Sequence, residues 1–149
     1  MVLTTLTPQQ IALSQLERAL NLYMRSDNLV SAITLAGAAE EILDKLAKAK
    51  GKIPSLERRI DNKISMFKAI FPNSPLPTRK KFADLSNKPR NAMKHLTTIE
   101  PIKLDLEEQA GRLLARAVEN YMLLFGSETP LMRRFQSKRL KAYRLHGVA

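Results

Sequence analysis

The sequence predicts an all-α protein. Only 5 of its 149 residues are glycine, and Asn-Gly and Asp-Gly turns are missing. Apolar residues recur at three- and four-residue steps and do not alternate, so helices rather than strands are expected to bury them. With 44% hydrophobic residues, a chain of this length fills one core, and two domains are not expected.

A first helix is announced by Thr7-Pro8-Gln9-Gln10, where Thr7 can cap, Pro8 suits the first helical position and Gln10 completes a capping box. It runs to about Arg25 and carries a core stripe of Ile11, Leu16, Ala19, Leu20, Tyr23 and Met24. Ser26 or Asp27 is expected to cap a second helix reaching Lys50, with Leu29, Ile33, Ala36, Leu43 and Ala47 on one stripe and Gly51 to end it. Ser55 is expected to cap a third, whose Leu56, Ile60, Ile64, Phe67, Ile70 and Phe71 keep helical spacing until Pro72 stops it. Residues 78–99 read as short, basic and irregular, with Pro89 dividing a Phe82/Leu85 turn from a second turn over Arg90 to Leu96. Asp105, with Glu108 as its partner, opens a last long helix that ends at Gly126. Beyond it, a basic helical segment restarts at Thr129-Pro130. The simplest organisation is an up-and-down four-helix bundle over residues 1–126 with a basic appendage over 127–149.

Composition narrows the chemistry. There are no cysteines and two histidines, His95 and His146, far apart in the chain, so thiol chemistry is ruled out and a resident metal or other cofactor is not expected. No apolar run approaches the roughly 18 residues of a membrane span, and the reading is of a soluble, cytoplasmic protein with no membrane partner. Lys and Arg number 25 against 14 Asp and Glu, a formal net charge of +11, which makes a polyanion such as RNA the first partner to consider. The excess lies in the last two thirds of the chain. Arg79-Lys80-Lys81, next to Phe82, and the tail cluster containing Arg133, Arg134, Lys138 and Arg139 could follow an RNA backbone, or could simply be solvated faces. Leu131, Phe135, Leu140 and Tyr143 suggest that the tail also packs by an apolar edge or docks on a partner.

The densest constellation is Lys88-Pro89-Arg90-Asn91-Ala92-Met93-Lys94-His95. If Pro89 occupies a first turn, Arg90 and Asn91 stand at a helix N-terminus suited to phosphate. His95 then lies about 140° around the helix from Arg90, near enough for a long guanidinium arm to converge on the imidazole. Imidazole moves protons at neutral pH, arginine stabilises charge on a phosphoryl group, and together they can cleave RNA without metal. By spacing alone, a solvated basic turn is the preferred explanation of these residues. Glu40 falls on the apolar stripe of the second helix and must find a donor. Either it orients Arg90 or His95, or it makes a structural salt bridge, with Glu41 solvated.

The run Ala32-Ile33-Thr34-Leu35-Ala36-Gly37-Ala38-Ala39-Glu40-Glu41-Ile42-Leu43, followed by Arg90-Asn91-Ala92-Met93-Lys94-His95-Leu96, resembles the HEPN superfamily of α-helical nucleotide-binding and ribonuclease domains. The resemblance extends over roughly residues 8–126 and takes in Ala117-Val118-Glu119-Asn120-Tyr121 of the last long helix. It implies a four-helix bundle that dimerises so that two Arg-Asn-His sets face one composite cleft. It also implies RNA cleavage without metal by attack of the ribose 2′-OH, with His95 as general acid/base, Arg90 clamping the phosphate and Asn91 positioning either. Toxin or defence roles, often with an antitoxin partner, are common in the family. The alternatives are a module that holds RNA or a nucleotide without turnover, and a protein-interaction subunit.

Overall fold

The computed structural model describes residues 1–95 and 99–145. Among the described residues there are six α-helices and no strands: α1 (Pro8–Met24), α2 (Leu29–Ala49), α3 (Ser55–Ile70), α4 (Arg79–Lys94), α5 (Leu106–Phe125) and α6 (Pro130–Leu145). Leu96 and His146 lie outside the described residues.

The start of α1 is a reciprocal capping box: the Gln10 amide donates to Thr7 Oγ1 at 3.1 Å and the Thr7 amide donates to Gln10 Oε1 at 2.8 Å. The cap of α2 is Asn28, not Ser26 or Asp27, and it accepts from the Ser31 amide at 3.1 Å. Asn28 stands in the left-handed region at φ 43°, which Asn tolerates better than most side chains, and the connection is therefore one or two residues longer than the capping signal suggests. Ser55 is likewise the first residue of α3 and not its cap. Pro54 takes the cap position without a side-chain bond, and the orphan Ser55 amide is satisfied from another helix, by Asn120 Oδ1 of α5 at 2.7 Å. Asp105 caps α5 by accepting from the Glu108 amide at 2.9 Å, and Gly126 ends it at φ 67°.

The segment expected to be irregular and divided at Pro89 is one continuous helix, α4, with Pro89 inside it. An interior proline costs about 3 kcal/mol through its lost N–H bond and ring clash. Contacts from three other helices offset that cost. Lys63 of α3 donates to Ser86 Oγ at 2.9 Å, Arg116 of α5 donates to Asn87 Oδ1 at 2.9 Å and to the Ser86 carbonyl at 3.5 Å, and Glu40 of α2 accepts from Arg90 at 3.1 Å.

The core lies where α1, α2 and α5 pack together, around Leu16, Leu20, Ile33, Leu43, Leu114 and Val118. Each such buried aliphatic side chain contributes roughly 1.5–3 kcal/mol. The C-terminal segment joins this core: Leu131, Met132 and Phe135 of α6 are buried in it, with the Phe135 ring edge-on to Tyr23 at 5.4 Å. Leu140 and Tyr143, further along α6, remain exposed. No helix is long and apolar enough to cross a membrane among the described residues.

Candidate functional site

Glu40 anchors the site. Its side chain, 3% exposed, faces α4 and α5 and binds two guanidiniums. Oε1 accepts from Arg116 Nη2 at 2.7 Å and Nε at 3.0 Å, and Oε2 accepts from Arg90 Nη1 at 3.1 Å. The Arg116 side chain is 6% exposed and that of Arg90 20% exposed. Two cations on one carboxylate leave the network one positive charge in excess, and neutral acceptors take further N–H groups: Asn87 Oδ1 and the Ser86 carbonyl for Arg116, and Asn91 Oδ1 at 3.4 Å for Arg90. Glu40 thus reaches Arg90 while cross-linking three helices, and Glu41, expected to be solvated, instead pairs with Lys45 and Lys94 at 3.4 Å each.

Gly37 explains how Arg90 reaches this place. A Cβ at position 37 would stand 2.7 Å from Arg90 Cδ, so only glycine lets the arginine stem lie flat across α2. Arg90 and Lys94 there border a hollow of about 300 Å³ against Thr34, Glu41 and Lys45. Burial alone would push the Glu41 carboxyl up, but its bonds to Lys45 and Lys94 outweigh this and hold it below its ordinary value.

The continuous α4 changes the electrostatics expected at this end. Arg90 and Asn91 belong to the C-terminal part of the helix and not to an N-terminus, so no free N–H groups or positive dipole end stand ready for phosphate there. An anion at this end is held by side-chain cations alone. His95 is the C-cap, in extended backbone at φ −124° and ψ 127°, so the 140° helical relation to Arg90 does not carry through to it. The structure brings Arg90, Asn91 and Glu40 together and leaves His95 exposed just beyond them.

The other basic residues are dispersed. Arg79 ties α4 to α3 through Asp61 and through Glu57 at 2.7 Å, and these hydrogen bonds raise its pKa further. Lys80 pairs with Asp84 at 3.0 Å and Arg133 with Glu128 at 2.8 Å. Lys138 lies over the Tyr23 ring at 4.6 Å, and Arg139 pairs with Glu108 at 3.3 Å. Lys81, Lys88 and Arg134 are exposed. Among the described residues no three His, Cys, Asp or Glu side chains gather in a group able to hold a metal ion.

Sequence reasoning missed Arg116. Its signal was present: it lies three residues after Leu113 and four before Asn120, on the buried face of α5, and a cation on such a stripe demands an acid just as Glu40 demands a donor. It also missed a wide groove on the other side of α4, floored by α5, whose cations come two from α3, two from α5 and one from α6 and form no run in sequence.

Comparison with protein-family models, with curated proteins and with solved structures gives no match to this chain. Function therefore rests on the residues themselves.

Proposed function

We propose that the chain is a metal-independent endoribonuclease of HEPN type, built on that family's four-helix bundle and acting in the cytoplasm on RNA. The observation that supports this most is the ion pair by which buried Glu40 fixes Arg90 beside Asn91 at the exposed end of α4, with His95 following. In the reaction the ribose 2′ oxygen attacks the adjacent phosphorus, the bond to the 5′ oxygen breaks, and a 2′,3′-cyclic phosphate is left. A base must take the 2′ proton and an acid must supply one to the departing 5′ oxygen; imidazole near neutral pH serves in either role. Two copies facing each other across a composite cleft supply both, so the working unit is a homodimer. Arg90 balances charge on the phosphoryl oxygens and Asn91 positions it. The cationic excess of the surface, from Lys88 and Lys94 to Lys81 and Arg134, attracts the RNA backbone. A toxin or defence role held in check by an antitoxin fits such an activity.

The test is incubation with mixed RNA in EDTA, followed by analysis of product ends. Wild type is expected to yield 2′,3′-cyclic phosphate termini and His95→Ala, whose side chain is exposed and whose fold is safe, at least a hundredfold less. Intact RNA at high protein concentration, or equal cleavage by the variant, would overturn the proposal. The second reading is an RNA- or nucleotide-holding module without turnover, favoured by the commitment of the Arg90 guanidinium to Glu40. Salt-sensitive RNA binding with no products would establish it.

A further inference from the structure

The groove behind α4 has a volume of about 930 Å³, with α5 as its floor, α3 and α4 as one wall and α6 as the other. That is the size of a site that encloses a small organic ligand. Five cations line it, Arg59, Lys63, Arg112, Arg116 and Arg139, against two carboxylates, Glu108 and Glu119. Both carboxylates are already engaged: Glu108 with Arg112 at 2.6 Å and Arg139 at 3.3 Å, Glu119 with Arg59 at 2.5 Å and with the Ser55 hydroxyl. Arg116 is turned inward to Glu40. Lys63 makes its bond to the Ser86 hydroxyl and not to a carboxylate. Apolar surface lies between these charges, from Leu56, Leu85 and Leu140, and Tyr143 stands at the α6 rim with the Arg139 guanidinium 5.0 Å from its ring centroid.

We propose that this groove binds a small phosphate monoester carrying an aromatic body, with Lys63 and Arg112 gripping the phosphate and Leu140 and Tyr143 covering the ring. A dianion answers the uncompensated positive charge, and the apolar wall answers the ring. The electrostatics of Lys63 agree: its pKa is lowered first by desolvation in the groove and then by Arg112, Arg116 and Arg59, so the groove gathers cations that repel one another. The groove is separate from the ribonuclease site proposed above. Pro89 borders the groove, whereas Arg90 borders the hollow on the α2 side.

Calorimetric titration of the full chain with 1-naphthyl phosphate tests the assignment, with inorganic phosphate and 1-naphthol as the half-ligands. The monoester is expected to bind at sub-millimolar Kd and each half-ligand about tenfold or more weakly; Lys63→Gln and Arg112→Gln are each expected to weaken it by about tenfold. His95→Ala is expected to bind it as wild type does, which keeps failure of the cleavage proposal distinct from failure of this one. Absence of binding at millimolar ligand would overturn the site. So would affinity unchanged in both variants whose helicity by circular dichroism matches wild type. An RNA decamer with unphosphorylated ends that binds through Lys63 and Arg112 while the monoester does not would replace the small ligand with a nucleic-acid strand and equally overturn it.

Discussion

Removing the Glu40 carboxylate leaves Arg116, 6% exposed, and Arg90, 20% exposed, without their shared counter-ion. An uncompensated buried charge costs about 3–5 kcal/mol, so Glu40→Ala is expected to lower the urea midpoint by a corresponding amount without changing the slope. A loss below 1 kcal/mol would mean that the network is solvated and does not tie the helices. Gly37→Ala acts on the same arginine by a different route. The added methyl meets Arg90 Cδ and displaces the stem from α2, while alanine restores up to about 1 kcal/mol of helix propensity. If cleavage depends on the placement of Arg90, the variant cuts RNA at least tenfold more slowly with stability nearly unchanged; undiminished cleavage would show that Arg90 needs no fixed seat. Gly37 and Glu40 could both be singled out in the sequence, one among small residues and the other as a charge on an apolar stripe, but which arginines they serve was not readable. Arg90 and Arg116 are 50 and 76 residues from Glu40 in the chain.

At the scale of the element, α3 depends on α5 for its start. Pro54 offers no capping side chain, and Asn120 Oδ1 supplies the acceptor for the Ser55 amide. Asn120→Ala is expected to destabilise by about 1–3 kcal/mol, as loss of a buried acceptor does, and to raise amide exchange in the first turn of α3 above that in α1. Equal protection of the two helices would refute the role. The caps of α1 and α5 were legible because donor and acceptor are three residues apart in the chain; those of α2 and α3 were not, because one uses a left-handed Asn and the other a side chain 65 residues away. Helix α4 makes the same point more strongly. Pro89 is a local stop signal, and it is overridden by bonds from Lys63, Arg116 and Glu40, none of which is close to it in sequence.

Over the whole molecule, charge sets the response to pH. Burial alone would raise the Glu108 carboxyl, but Arg112 and Arg139 hold it below its ordinary value, as Lys45 and Lys94 do for Glu41. A carboxylate with a lowered folded pKa adds stability that is fully present above its ordinary value of 4.5 and is lost as pH falls through the lowered value. Unfolding midpoints are therefore expected to fall below about pH 4.5, and less steeply in Glu108→Gln; both side chains are partly exposed, so the effect is modest. Lys63 carries the opposite sign. An amine with a lowered folded pKa destabilises while it is charged, and the penalty fades only as pH rises toward 10.5. Lys63→Gln removes both that penalty and the bond to Ser86 Oγ, so only the pH trend is diagnostic: the melting point of the variant relative to wild type is expected to fall modestly between pH 7 and pH 10, and a difference independent of pH would show that no repulsion acts on Lys63.

The sequence by itself determined the helical class, the ends of α1 and α5, the basic excess and the demand of Glu40 for a donor, because each follows from local spacing or from composition. Tertiary structure alone decided the continuity of α4, the choice of Arg116 as the principal partner of Glu40, the burial of Phe135 in the common core and the gathering of Arg59, Lys63, Arg112 and Arg139 around one groove. In each of those cases the deciding energy is an ion pair, a hydrogen bond or a buried surface between helices, and such terms exist only once the chain has brought distant residues together.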